Sequence, residues 1–225
     1  MIQEIKEAVK NSQHCYRNFD LDAEIPQEHL DVMIYAATQA PAKQNYSYFN
    51  LKVVTNPDII EKIHENTIGA TVKHKDDPKD RFVTTNSQTL ANVVFVYESK
   101  RFDQMSEDFI DDQGIQEHDL EWQFNQKGSG LEKDLAGFKI DRDRHLGISS
   151  GQLVLAANQL GYRTGYCACF DIDQIKDVLN LEGEDLMLVG IGVPHPDKTR
   201  IEYKNNPDYN YMVKTREPVC VEILD

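Results

Sequence analysis

Four short runs of this sequence carry side chains that could do chemistry. The first is His14-Cys15-Tyr16-Arg17, at the joint where an N-terminal helical segment gives way to a loop. A loop there can offer a guanidinium and backbone donors to an anion; the plainer reading is a surface Arg beside a packed Cys. The second is Lys214-Thr215-Arg216, next to Glu217-Pro218. The chain has 24 Lys+Arg against 38 Asp+Glu, a formal net charge of −14, so a phosphate would need local cations such as these. Spacing alone does not say whether the two basic runs converge.

The third run, Ala40-Pro41-Ala42-Lys43-Gln44-Asn45, is a helix end passing into a turn, followed by Tyr46-Ser47-Tyr48-Phe49. The amide of Asn45 either meets a polar heterocycle walled by these aromatics or only satisfies its own turn. The fourth, Cys167-Ala168-Cys169, lies in a strand-like stretch where both thiols would share a face. Redox dithiols are usually Cys-x-x-Cys opening a helix, so a structural role is the better reading here.

Several classes of function drop out. An acidic chain is a poor nucleic-acid binder, so no nucleic acid is expected as partner. No apolar run approaches the roughly 20 residues of a membrane span, and the N-terminus lacks the apolar core of a secretory signal. Four cysteines, spread apart from the one Cys-x-Cys, do not form a disulfide framework, which points to a reducing, cytoplasmic setting away from membranes. His and Cys show no paired spacing for a tetrahedral site, so no metal is expected. Gly-x-Gly-x-x-Gly after a strand, the phosphate-binding Gly-Lys-Ser/Thr and the Gly-x-Ser-x-Gly elbow are all missing.

The elements that must position these runs are legible from periodicity. Ile2, Ile5, Ala8 and Val9 recur at helical spacing, as do Leu30, Met33, Ile34 and Ala37 in a second helix beginning near Pro26 and ending before Pro41. A strand is expected at Leu51–Thr55, a helix over Asp58–Ile68, and a strand at Asn92–Tyr97 whose unbroken apolar run places it centrally in a sheet. A long helix spans Asp134–Leu160, with small residues at 147–151 suited to a helix–helix interface and Gly161 as its stop. Arg163–Phe170 reads as a strand, Asp171 caps a short helix to Leu179, Leu186–Val193 is a second buried strand, and Pro218–Leu224 a terminal one. Between Asp103 and Gln126 stand eight acidic residues and no Lys or Arg, interleaved with aromatics. This is a partly ordered surface insertion, a lid or simply a solvated excursion. The expectation is α+β, one domain over 1–225 with an acidic insertion at about 100–130.

Taken in order, these signals resemble the FMN-dependent nitroreductase family. Gln13-His14-Cys15-Tyr16-Arg17-Asn18-Phe19 is similar to its Arg-Arg/His-Ser-x-Arg/Lys-x-Phe pattern, and Ala40–Phe49 to its Ala-Pro-Ser-x-x-Asn-x-Gln-Pro-Trp turn. The helix ending Leu160-Gly161, Phe170-Asp171 before a short helix, the strand end Gly190–Pro194 and Lys214-x-Arg216-x-Pro218 continue the resemblance across nearly the whole chain.

The resemblance implies a nitroreductase-like fold, a central mainly antiparallel sheet flanked by helices, in an intertwined homodimer whose subunits share each FMN site. Gln13, His14, Cys15, Lys214 and Arg216 would surround the FMN phosphate and ribityl chain. Arg17 would face the flavin pyrimidine edge, where a guanidinium stabilises the reduced cofactor. Asn45 would approach the ring, and Ala168 and Cys169 would give backbone contacts near N5. NADH or NADPH would supply hydride, and an electron-poor small molecule such as a nitro compound or quinone would accept it. No side chain would be catalytic by itself. Two positions depart from the pattern: Gln13 replaces an Arg, removing one phosphate-neutralising charge, and Ser47-Tyr48-Phe49 replaces Gln-Pro-Trp on the substrate side. The alternatives are a dehalogenase or flavin-fragmenting reaction on the same scaffold, or a flavin-free acidic interaction domain.

Overall fold

A computed structural model describes residues 1–69, 71–73, 81–83, 85–100, 131–183, 186–197, 201–203, 206–211 and 218–223. Helices α1 (Ile2–Asn11) and α2 (Gln27–Thr38) precede β1 (Phe49–Val54) and α3 (Pro57–Glu65). A small hairpin, β2 (Thr71–Lys73) and β3 (Arg81–Val83), leads to β4 (Val93–Ser99). Then come α4 (Leu131–Gln159), β5 (Arg163–Cys167), α5 (Ile172–Leu179), β6 (Leu186–Gly192) and a second hairpin, β7 (Ile201–Tyr203) with β8 (Asn206–Tyr211). Two 3-10 turns matter below, at Lys43–Asn45 and Ser87–Thr89.

The central sheet has the order β1-β4-β6-β5, and every pairing in it is antiparallel. The expected α+β class and antiparallel sheet are therefore present. All seven residues of β4 are buried, as its apolar run predicts for an inner strand covered on both faces. Period-two alternation divides its side chains between two cores. Val93, Phe95 and Tyr97 pack with Met33 and Ala37 of α2 and Leu153, Val154 and Ala157 of α4. Val94 and Val96 face the other way, onto Ile60 and Ile63 of α3 and Ile175 of α5.

Local chemistry sets the boundaries. The Asn56 side chain accepts from Asp58 N and Ile59 N, and Pro57 begins α3 where a missing N–H costs nothing. Asp171 caps α5 by accepting from Gln174 N, and Gly161, at φ 93°, ends α4 in a conformation that favours glycine.

Two expectations need correction. The terminal strand over Pro218–Leu224 does not form: 218–223 carry no regular structure, and Val219, Val221 and Ile223 are exposed. Alternation supplies a face but not the hydrogen-bonding partner a strand requires. The helix expected from Ile2, Ile5, Ala8 and Val9 does form as α1, with only Ala8 buried and Ile2, Ile5 and Val9 facing outward. Cys167 and Cys169 do not share a face, because β5 ends at Cys167; the first is buried and the second exposed. The acidic run at 103–126, with the turn after it, lies outside the described residues.

Candidate functional site

Gly165 of β5 and Gly190 of β6 are direct partners in the sheet. On the α3/α5 side, the turn carrying Gln88 lies directly on them. A Cβ at Gly190 would strike the Gln88 carbonyl oxygen; one at Gly165 would lie 2.5 Å from Gln88 Cβ and 2.7 Å from Tyr16 O. These contacts are tighter than packed carbon atoms tolerate, so two missing side chains let main chain rest on main chain. The N-terminal segment is tied to the same place, with Tyr16 N donating to Thr164 O at 2.9 Å and Cys15 Sγ to Tyr166 O at 3.2 Å.

Arg17 sits at this junction. Its Nη1 donates to Asn86 Oδ1 at 3.3 Å and to Gln88 Oε1. The two amides are anchored in turn: Asn86 Nδ2 donates to Ile68 O at 2.9 Å and Cys169 O at 3.0 Å, and Gln88 Nε2 to Tyr166 O at 3.1 Å. Three stretches distant in sequence, 15–17, 86–88 and 165–169, are thus knit into one hydrogen-bonded unit. Among the described residues Arg17 has no carboxylate partner, so its charge is met only by neutral carbonyls.

The other expected residues are placed unevenly. Gln13 and His14 follow α1 and are exposed; Cys15 and Arg17 are half-buried. Ala168 and Cys169 are exposed just beyond β5, beside the amide anchors. Asn45 closes its 3-10 turn at φ 58°, exposed and left-handed, a conformation Asn tolerates better than most residues. That turn is fastened to α4 by Lys43 Nζ to Asp141 Oδ2 at 2.6 Å, while Tyr46 and Tyr48 are buried behind it with their rings 6.2 Å apart. Lys214 and Arg216 lie outside the described residues. Asn86 and Gln88 are the residues sequence reasoning missed. A signal for them exists: a polar Asn-Ser-Gln-Thr run, all four buried, immediately before the most apolar strand.

Burial controls the thiols. Desolvation raises the Cys15 pKa against the opposing effect of Arg17, and pushes Cys167 up to about 11. Both are protonated at neutral pH and poor nucleophiles. All four cysteines are free, and no group of metal ligands occurs among the described residues. A separate cavity of about 510 Å³ is lined by Ile25, Leu30 and Ile60 together with Asp22, Glu24 and Glu61. Its carboxylates oppose an anion, whereas the Arg17 junction invites one.

The family model for the nitroreductase family matches residues 11–193, from the segment before Arg17 to the end of β6. The chain belongs to the nitroreductase family. It is an enzyme of the flavin-dependent oxidoreductase kind. No curated protein matches it in sequence. Among solved structures it is similar to a nitroreductase-like protein of Streptococcus mutans, at 19% identity and TM-score 0.66, with 100% of each chain covered. A protein of Exiguobacterium sibiricum 255-15 solved in complex with FMN gives 19% identity and TM-score 0.61, covering 95% of this nitroreductase and 93% of that chain. The gut-bacterial enone reductase CLA-ER gives 18% identity and TM-score 0.57, covering 86% and 90%. At such identities the likeness is one of fold.

Proposed function

We propose that this nitroreductase holds FMN at the Arg17 junction and carries hydride from NADH or NADPH to an electron-poor small molecule. The observation that carries the reading is Arg17 itself, a cation held in place by two anchored amides with no acid beside it among the described residues. Such a donor set fits the electron-rich pyrimidine edge of a flavin. The exposed residues Ala168 and Cys169 would approach the ring, and Gln13, His14 and Cys15 its ribityl phosphate. Lys214 and Arg216 would complete the phosphate charge. When bound, the flavin supplies the two-electron chemistry. The chain's own part is to orient it, neutralise its tail and keep a positive charge fixed beside its pyrimidine edge.

A homodimer in which Asn45 comes from the second subunit accounts for features a single chain leaves open. At Gly147 and Gly151 of α4 an added methyl group would have nothing within 4 Å among the described residues, and Ile140 and Ile148 on the same helix are exposed. Glycine costs a helix interior about 1 kcal/mol against alanine, a cost that close approach of a second helix offsets. The outward apolar residues of α1 and of the 218–223 tail add to that surface.

The test is the visible spectrum of the purified protein. Flavin absorption in stoichiometric amount, bleached by NADH or NADPH and restored by a nitro compound, quinone or activated alkene, is the expected result. The alkene belongs in the panel because a structural neighbour is an enone reductase. A colourless protein that takes up no added FMN would reject the reading.

A further inference from the structure

We propose that Asn86 and Gln88 are positioning residues whose neutral amides aim Arg17 while leaving its charge available to the cofactor. The inference rests on the flavin reading above, and deepens it.

A half-buried guanidinium ordinarily finds a carboxylate, which fixes it through charge-assisted pairs and cancels its field at the same time. Here the fixing is done without the cancelling. Asn86 and Gln88 are 7% and 4% exposed, so neither amide can turn to water for its hydrogen bonds. Their NH2 groups are committed to carbonyls, Ile68 O and Cys169 O for Asn86 and Tyr166 O for Gln88. Each amide therefore has one orientation that satisfies both ends, with its oxygen toward Arg17. The Gln88 backbone cannot drift, because it lies on Gly165 and Gly190. Asn86 is fixed as well, its N–H donating to Thr67 Oγ1 at 2.8 Å.

The linkage also has a direction. Two of the three carbonyls that hold the amides belong to Tyr166 and Cys169, at and beside Ala168-Cys169, the pair expected to line the flavin ring. A movement of that backbone would thus be transmitted to the guanidinium, so ring-lining main chain and pyrimidine-edge charge move as one body.

The experiment uses the full-length protein with Gln88→Met, which keeps the bulk and removes both hydrogen bonds, and Gln88→Glu, which puts a carboxylate against Arg17. Each is made alone and with Arg17→Gln, and thermal midpoints report folding. In the Arg17 background Gln88→Met should weaken FMN binding about tenfold, the value of one charge-assisted hydrogen bond, and Gln88→Glu should move the flavin midpoint potential to more negative values. Both effects should collapse in the Arg17→Gln background, because they act through that side chain. Additive effects would overturn the proposal and assign Gln88 a direct or merely structural role. Side-chain NMR of the FMN-free protein gives a flavin-independent readout: the Arg17 guanidinium should rotate slowly in the parent and freely in Gln88→Met. Free rotation in the parent would overturn the clamp. Slow rotation in a parent that binds no FMN would reject the flavin reading, and with it the purpose assigned to the clamp.

Discussion

His64 shows what one buried side chain does to the pH response of the whole enzyme. It is 2% exposed on α3, and among the described residues neither ring nitrogen has a hydrogen-bond partner. Burial lowers its pKa from 6.5 to about 4, so the folded state holds it neutral where the unfolded chain protonates it. Its contribution is fully present above pH 6.5 and is lost as pH falls from there to about 4. A shift of that size corresponds to about 3 kcal/mol. Denaturant titrations should therefore show stability falling across this window, and His64→Leu should flatten the slope. A parent and variant with the same pH dependence would show that other groups dominate. His145, buried and likewise shifted down by desolvation, acts with the same sign. The catalytically suggestive residues are partly legible at this scale: Arg17 and Cys15 stand out by type and order. Asn86 and Gln88 do not, since a buried amide gains its meaning only from the carbonyls it meets, and these come from residues 68, 166 and 169.

Among the elements, β5, β6 and α4 carry the predictions. Strands such as Val93–Ser99 and Leu186–Gly192 announce themselves by composition, and the caps at Asn56, Gly161 and Asp171 by chemistry. The tail at 218–223 cannot be read in the same way, because its alternation is local while a strand needs an edge supplied by other parts of the chain. Short hairpins such as β2–β3 have three residues a side, too few to show a period. The paired glycines are visible as letters, but not as a platform. Replacing Gly165 or Gly190 by Ala should each destabilise the protein by about 1–3 kcal/mol through overpacking and loosen FMN, as read by thermal melts and flavin fluorescence. On α4 the expectation is different. Gly151 has open space around an added methyl among the described residues of its own chain, so in the proposed dimer Gly151→Leu should leave the protomer folded and shift sedimentation from dimer to monomer. A dimer unaffected by that change would place the subunit contact elsewhere.

For the molecule as a whole, a formal charge of −14 on 225 residues means that folding gathers like charges. Raising salt from about 0.01 M to 0.15 M shortens the screening length from about 30 Å to about 8 Å, and the thermal midpoint of the FMN-free protein should rise with it. A falling midpoint would mean that attractive pairs outweigh the general repulsion. Against that background the Arg17 junction stands as a fixed point of opposite sign. Since its floor is peptide lying on peptide, at Gly165 and Gly190, its height above the sheet does not depend on the volume of any core side chain. On the flavin reading, residues in either core can be exchanged while the charge beside the cofactor stays the same; new substrates would be gained without retuning the redox centre that serves them.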